Sequence, residues 1–185
     1  MMQLPSKEYG ITLIELLITL SISSILFLFA SSSHQSIQVA IQEEFLKYEF
    51  TQQLRIAKNL ASIENRAITL CGTLDGKTCI DAKNQKWHGW LLFYDDQASF
   101  QPQEELIIHQ KPVSLLFDKG FHIKTTINIG GGINFKARRQ YAYGMARSIA
   151  NGRIQICKNE MNDKGFDFII NVYGYFRTEK GKDAC

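Results

Sequence analysis

Proline, net charge and catalytic motifs are all scarce in this 185-residue sequence. It has three prolines, and residues 11–65 contain neither proline nor glycine, so nothing obvious in that stretch ends a helix. The formal net charge is only +3 and 45% of the residues are hydrophobic, which excludes a disordered or low-complexity chain. The length allows one domain with an appendage.

Recognisable catalytic and metal-binding patterns are also absent. The sequence contains no G-x-S-x-G, no G-x-x-x-x-G-K-[ST], no H-E-x-x-H and no C-x-x-C. Its four histidines stand apart, without the spacing of metal ligands. The neighbours Asp95 and Asp96 could bind a cation, but a solvated turn is the simpler interpretation. We therefore predict no enzymatic activity, no cofactor and no metal site.

A long apolar run is the most distinctive feature that is present. Residues 11–30, ITLIELLITLSISSILFLFA, carry one charge, Glu15, and a helix needs roughly 20 apolar residues to cross a bilayer. A conventional signal peptide cut near residues 30–33 is one interpretation. Glu15 argues against it, because a carboxylate inside an apolar segment is costly without a partner. An amino terminus created by cutting after Gly10 in a neighbouring copy would supply that partner and fix the stagger between subunits.

Helical spacing of apolar residues continues beyond this run. Five residues recur at intervals of three or four and predict an amphipathic helix that extends to about Asn65: Leu46, Phe50, Leu54, Ala57 and Ala61.

From Arg66 onward the pattern changes to short β-like runs separated by turn residues. The candidate strands are Arg66–Cys71, Trp87–Tyr94, Glu105–His109, Val113–Phe117, Phe121–Ile129, Ile133–Lys136, Arg153–Cys157 and Phe166–Tyr173. Trp87 and Trp90 are expected to cap the hydrophobic core. We predict an α+β fold, in which the C-terminal half of a long N-terminal α-helix packs on an antiparallel β-sheet head.

Four cysteines allow three pairings. Cys71 and Cys79 lie at the ends of CGTLDGKTC, where Asp-Gly can turn the chain, and a bridge between them leaves Cys157 for Cys185. We expect both disulfides, Cys71–Cys79 and Cys157–Cys185. Disulfides indicate an oxidising compartment for the head, which we predict to be the periplasm.

A basic window lies at residues 136–158, which contain six cations and no acid. The window alone carries +6, so the rest of the chain sums to −3. Its arginines are Arg138, Arg139, Arg147 and Arg153. Arginines with interleaved tyrosines suit phosphates and exposed bases. The alternative is a solvated sheet face on which the charges scatter once the chain folds.

Gly10 followed by ITLIELL, with Glu at the fifth position after the glycine, resembles the processing site of type IV pilins and type II secretion pseudopilins. The resemblance implies that a prepilin peptidase cuts between Gly10 and Ile11 and methylates the new amino terminus. It implies that Glu15 sets the register between subunits. Two positions depart from the usual pattern: Ile11 replaces Phe, and Ser32 stands where many of these helices have Pro.

The same resemblance divides the chain into three parts. Residues 1–10 would be the leader peptide, and residues 11–35 the transmembrane or filament-core half of the helix. Residues 36–185 would form the periplasmic head, with a helix over 36–65 and a β-rich region over 66–185. The protein would span the inner membrane once and reach the pilus tip or fibre after assembly.

The head is similar to the GspH/FimT family of minor pilins and pseudopilins. The similarity rests on the G-W-x-x-F-x-D core, residues 89–95, and on the cysteine placement, which is closer to FimT and FimU than to GspH. It implies a minor pilin that primes or tips a type IV pilus, with major and minor pilins as partners. A type II secretion pseudopilin without DNA binding is the alternative.

FimT-type members in naturally competent bacteria bind DNA through a C-terminal G-R-x-R motif. Here the motif aligns with Gly174-Tyr175-Phe176-Arg177, so that Tyr175 replaces the first arginine. Loss of one guanidinium removes one phosphate contact. The double-stranded DNA hypothesis assigns binding to Gly174, Arg177, Lys180, Lys182, Arg138, Arg139, Arg147 and Arg153.

Overall fold

The computed structural model describes residues 10–80, 87–111, 120–136, 140–145, 148–158 and 165–181. The chain divides into two compact units, one ending at Phe45 and the other beginning at Leu46. One helix, α1 (Leu13–Ile63), contributes to both units.

In the first unit, α1 begins after Thr12. The Thr12 hydroxyl accepts a hydrogen bond from the backbone N–H of Glu15 (3.3 Å), and its carbonyl accepts one from Leu16 (3.2 Å). Every large apolar side chain from Ile11 to Phe27 is more than half exposed. Among the described residues, no helix is long and apolar enough to cross a membrane.

In the second unit, α1 supplies one buried face to the head. The five residues predicted for this face, Leu46, Phe50, Leu54, Ala57 and Ala61, are all buried. The Phe50 ring packs edge-on against Trp90 and Phe168, with ring centroids 5.2 and 5.1 Å apart. The helix ends where Asn65 adopts a left-handed conformation (φ 53°), which is a common helix stop. The predicted amphipathic helix is therefore confirmed, with an end at Ile63.

Nine strands lie in the described part of the head: β1 (Ile68–Thr73), β2 (Gly89–Tyr94), β3 (Ile107–Gln110), β4 (Phe121–Thr125), β5 (Gly132–Phe135), β6 (Tyr143–Gly144), β7 (Gly152–Lys158), β8 (Phe166–Ile170) and β9 (Phe176–Lys180). They form two antiparallel sheets, with orders β3-β2-β1-β5-β6 and β4-β7-β8-β9. A 3-10 helix, Glu104–Leu106, precedes β3. The predicted α+β class, a type IV pilin-like arrangement with a long N-terminal helix and an antiparallel head, is confirmed.

The core of the head contains both tryptophans. Trp87 and Trp90 are fully buried, so the expectation that they cap the core is wrong. A close approach explains the position of Trp87, because a Cβ on Gly72 would lie 2.2 Å from its ring. Only glycine at position 72 leaves room for the indole in its present place.

Several strand predictions are corrected by turns. The predicted Phe121–Ile129 strand ends at Thr125, and the predicted Phe166–Tyr173 strand ends at Ile170, where Asn171 begins a turn. β6 and β9 were not predicted, because each has few apolar residues to give a periodic signal. The predicted strand Val113–Phe117 lies outside the described residues.

Candidate functional site

The predicted processing bond lies just before α1. Gly10 and Ile11 are exposed and precede the first helical residue, and no atom of the described residues beyond Ile11 lies within 4 Å of a Cβ placed on Gly10. An exposed, non-helical peptide bond fits a protease site, since a bound substrate must be extended in the active site. The cleavage itself remains a prediction.

Glu15 occupies the first turn of α1, three residues after the capping residue Thr12. Thr-x-x-Glu is the sequence of a capping box, and the half in which the Thr hydroxyl accepts from the Glu N–H is present. A carboxylate in the first turn also interacts favourably with the helix dipole. Glu15 therefore has a local role within its own helix, in addition to the predicted role in subunit register.

The bridge predicted between Cys71 and Cys79 is present, with 5.6 Å between the Cα atoms. Its loop is ordered by Asp75, whose Oδ1 accepts hydrogen bonds from the backbone N–H groups of Lys77 and Thr78, each at 2.8 Å. These hydrogen bonds, led by that of Thr78, hold the pKa of the Asp75 carboxyl well below its ordinary value.

The second predicted bridge involves Cys157 of β7. This residue is fully buried and disulfide-bonded. Its predicted partner, Cys185, lies outside the described residues, so the Cys157–Cys185 pairing remains a prediction.

Two residues of the DNA hypothesis share one face of the second sheet. Arg153 on β7 and Arg177 on β9 are both directly opposite Ile169 on the intervening strand. Directly paired residues point to the same face of a sheet, so the two arginines lie two strand spacings apart, about 10 Å. The β structure thus brings together two guanidinium groups that are 24 residues apart in the sequence.

Both of these arginines are already paired with acids on the same face. Arg153 Nη1 lies 3.2 Å from Asp167 Oδ2, and Arg177 Nε donates to Glu179 Oε1 at 2.8 Å. The Asp167 side chain is only 2% exposed, so Arg153 compensates a buried charge. Phosphate would compete with a carboxylate at each arginine, which weakens this face as a DNA site.

The remaining residues of the hypothesis are placed elsewhere or not described. Lys180 is on β9 but on the opposite face from Arg177, because strand side chains alternate. Arg138, Arg139, Arg147 and Lys182 lie outside the described residues.

The Gly174-Tyr175-Phe176-Arg177 motif forms the turn into β9. Gly174 has φ 75° and is buried, and a Cβ there would lie 2.8 Å from the Phe135 ring, so glycine is required for structure. Tyr175 is exposed, whereas Phe176 packs back toward Phe168, with ring centroids 6.3 Å apart. Of the two aromatic residues in the motif, Tyr175 is the accessible one.

Asp95 and Asp96 are engaged by the protein itself. Asp95 is buried and accepts hydrogen bonds from the Thr69 hydroxyl, the N–H and hydroxyl of Ser99, and the N–H of Phe100. Asp96 pairs with Arg66 at 3.0 Å. The interpretation of Asp95 as part of a solvated turn is therefore wrong. No group of three or more potential metal ligands occurs within the described residues.

Sequence reasoning missed a basic groove beside β9. The groove is about 340 Å³ in volume, and Arg55 and Lys58 of α1 line it together with residues 174–178. Lys58 is only 8% exposed, and burial lowers its pKa. A lysine in the middle of an amphipathic helix is normally assigned to the solvent face, so the sequence carries no signal for this position.

Residues 5–31 match the family model described as the prokaryotic N-terminal methylation motif. No curated protein and no solved structure was found to match the chain. The motif implies a membrane-anchored pilin with a hydrophobic N-terminal segment, processed by a prepilin peptidase and assembled with other pilins. The pilin-like family that carries this motif is structural and non-enzymatic. The motif and the α+β fold together support a type IV pilin-like protein.

Proposed function

We propose that the chain is a minor pilin that primes or tips a type IV pilus. One observation carries this proposal: the methylation motif, residues 5–31, includes the first part of α1, where the large apolar side chains are exposed on all sides as far as Phe27. Such a surface needs an apolar environment, which a bilayer or the packed helices of a filament supplies. The protein would sit in the inner membrane with its head in the periplasm, and move to the pilus during assembly.

Within this proposal Glu15 sets the register between subunits. The new amino terminus of a neighbouring subunit would pair with the Glu15 carboxylate, since an unpaired charge in apolar surroundings is costly. The hydroxyls of Thr19, Ser21 and Ser23 donate to carbonyls of the preceding turn at 2.7–2.9 Å. These three hydroxyls are satisfied within the helix, whereas the Glu15 carboxylate, in the same described part of the segment, is the group that this proposal pairs with an external partner.

Replacement of the glycine before the cleavage site tests the proposal in the bacterium that encodes the protein. We expect Gly10→Val to block removal of residues 1–10 and methylation of Ile11, as read by mass spectrometry, and to abolish the contribution to piliation. Ser6→Ala, in the leader, is the matched control and should mature normally. Normal maturation and piliation of Gly10→Val would contradict the proposal.

Deletion of the gene separates the pilus from the secretion alternative. A minor pilin predicts fewer pili and loss of twitching motility, with protein secretion unchanged. A type II secretion pseudopilin predicts the reverse, namely accumulation of exoproteins in the periplasm with normal piliation.

A second candidate function is capture of double-stranded DNA for uptake. The observation in its favour is the common orientation of Arg153 and Arg177 opposite Ile169. Two guanidinium groups on one face can contact two phosphates of DNA, and the affinity of such contacts falls as the salt concentration rises. Their carboxylate partners make the expected affinity modest.

Gel-shift titration of the full-length protein in a nonionic detergent tests this candidate at several salt concentrations. We expect Arg177→Gln, and Arg138→Gln combined with Arg139→Gln, each to weaken binding and reduce the salt dependence. Lys77→Gln, an exposed charge change in the disulfide loop, is the control. Absence of a shift at low salt would reject DNA binding and leave the pilin proposal intact.

A further inference from the structure

The groove beside β9 has two different walls. Thr51, Arg55, Lys58 and Asn59 of α1 form one wall, and residues 174–178, which lead into β9, form the other. All of these residues belong to the second unit. The groove is therefore a feature of the head alone.

The groove is positively charged and contains no acid. Three cations line it, Arg55, Lys58 and Arg177, and no aspartate or glutamate does. Because Arg177 is paired with Glu179, Arg55 and Lys58 supply the uncompensated charge. Within the described part of the chain, no carboxylate pairs with Arg55 or Lys58. The Lys58 ammonium lies 5.2 Å from the ring centroid of Tyr175. Lys58 is only 8% exposed and has no acid partner within the described residues, so its ammonium has lost part of its hydration, which the ring contact replaces only in part.

The second wall is the open edge of a sheet, because β9 is the last strand in the order β4-β7-β8-β9. Asn171 N–H donates to Tyr175 C=O, and Gly181 N–H donates to Gly165 C=O. Because hydrogen-bonded and non-hydrogen-bonded pairs alternate along an antiparallel ladder, these two bonds identify which residues of β9 bond to β8 and which do not. From this alternation, three residues of β9 direct their N–H and C=O groups away from β8: Phe176, Thr178 and Lys180. No strand pairs with that edge within the described residues.

We propose that this groove binds an extended acidic segment of a partner pilin, which adds to β9 as a further strand and places a carboxylate against Lys58 and Arg55. An added strand satisfies both the N–H and the C=O groups of the β9 edge, and alternate side chains of that strand point toward the helix wall. The inference rests on the proposed pilin function, because the partner is another subunit.

The two walls favour a peptide over a nucleic acid. A carboxylate on a flexible side chain can enter a groove of about 340 Å³ and reach a lysine that is nearly buried, whereas duplex phosphates lie on the surface of a stiff cylinder. The outward C=O groups of β9 would also repel phosphate, but they accept hydrogen bonds from a peptide backbone.

Fluorescence anisotropy of the full-length protein in a nonionic detergent tests this inference. The probe is a labelled, end-blocked eight-residue peptide in which Thr and Glu alternate. We expect it to bind, and Lys58→Gln and Arg55→Gln each to weaken binding roughly tenfold, because a charge-assisted contact is lost. Lys77→Gln should bind as the unmodified protein does. Equal affinity of Lys58→Gln and the unmodified protein would overturn the inference.

Two further probes test the strand geometry. The same peptide with N-methyl groups on its edge-facing amides should lose binding, because it cannot hydrogen-bond to β9. Thr178→Pro should have the same effect while retaining the fold, since this substitution removes an outward N–H on an edge strand. Undiminished binding of the N-methylated peptide would show a purely electrostatic contact and overturn strand addition.

Binding of a duplex oligonucleotide to the same variants is the last measurement. Loss of duplex binding in Lys58→Gln and Arg55→Gln, with no peptide binding in the unmodified protein, would overturn the inference and assign the groove to phosphates. Failure of the peptide arm leaves maturation at Gly10 unaffected, so it can be distinguished from failure of the pilin proposal.

Discussion

The stretches Leu13–Phe27 and Leu46–Ala61 belong to the same helix and are both rich in large apolar residues, but only the second buries them within the chain. In the first stretch every large apolar side chain is more than half exposed. In the second, the apolar residues on one face, such as Phe50 and Leu54, are completely buried. Helix geometry is shared, so the difference lies in what each stretch packs against.

The two stretches of this one helix suit two different environments. The second stretch places polar residues such as Arg55 and Asn59 on the face opposite its apolar stripe, the pattern of a helix on a globular core. The first stretch is apolar all round, the pattern of a helix surrounded by lipid or by other helices. Stability of the head should therefore depend on the second stretch and be insensitive to the first.

Phe50→Ala is the change with the largest expected effect. The Phe50 ring is fully buried between Trp90 and Phe168, and its removal leaves a cavity, so we expect a loss of about 3–5 kcal/mol in the free energy of unfolding of the head. Phe27→Ala removes an equal ring that is 73% exposed and should change this free energy little. Denaturant unfolding in detergent, followed by tryptophan fluorescence, measures both. Similar losses for the two variants would show that the first stretch also stabilises the head, and would contradict the distinction between the two stretches.

Asp95→Ala tests whether a buried polar group contributes to the stability of the head, as the buried apolar groups do. The Asp95 carboxylate accepts from the hydroxyl of Thr69 and from the backbone N–H groups of Ser99 and Phe100. Removing the acceptor leaves these donors unpaired, so we expect a loss of about 2–4 kcal/mol in the same unfolding measurement. Asp96→Ala, an exposed carboxylate beside it, should cost less. An equal cost for the two would mean that burial of Asp95 has no energetic consequence.

The sequence predicts α1 well, because absence of proline and glycine and a continuous apolar spacing both act locally along the chain. It also predicts most of β1, β2, β7 and β8, whose apolar residues face the core. It fails at β9, whose sequence FRTEK has one apolar residue, because an edge strand is held by hydrogen bonds to its neighbour rather than by its own burial.

The candidate sites also divide into those that a short stretch of sequence predicts and those that depend on contacts between distant parts of the chain. The processing bond at Gly10 and the Cys71–Cys79 bridge are evident in short stretches of sequence. Convergence of Arg153 with Arg177, and burial of Lys58 beside the turn at Gly174, depend on strand order and on helix packing. Charge counts along the chain cannot supply that information, since they treat paired and unpaired cations alike.

Thr12→Val tests whether a change in the first stretch leaves the stability of the head unchanged. The variant keeps the size and branching of the side chain but removes the hydroxyl that accepts from the Glu15 N–H. We expect the first turn of α1 to lose about 1 kcal/mol, seen as faster amide exchange over residues 13–16 in detergent, with head unfolding unchanged. Thr51→Val is the matched control, because its hydroxyl bonds within the helix interior to Lys47. A change in head unfolding by Thr12→Val would show that the two stretches are coupled.

Acid should destabilise the Cys71–Cys79 loop of the head, and this is the smallest effect among the four changes predicted for the helix and the head. Asp75 has a folded-state pKa lowered by N–H donors, so its contribution to loop stability is complete above the ordinary carboxyl pKa and is lost as the pH falls toward the lowered value. We expect amide exchange at Lys77 and Thr78, corrected for intrinsic rates, to accelerate over that range. Asp75→Asn keeps an acceptor oxygen without the ionisation, so its loop should exchange somewhat faster and without that pH dependence. If both proteins showed the same pH profile, another group would be responsible, and Asp96, whose pKa is also lowered by hydrogen bonds, would be the next to test.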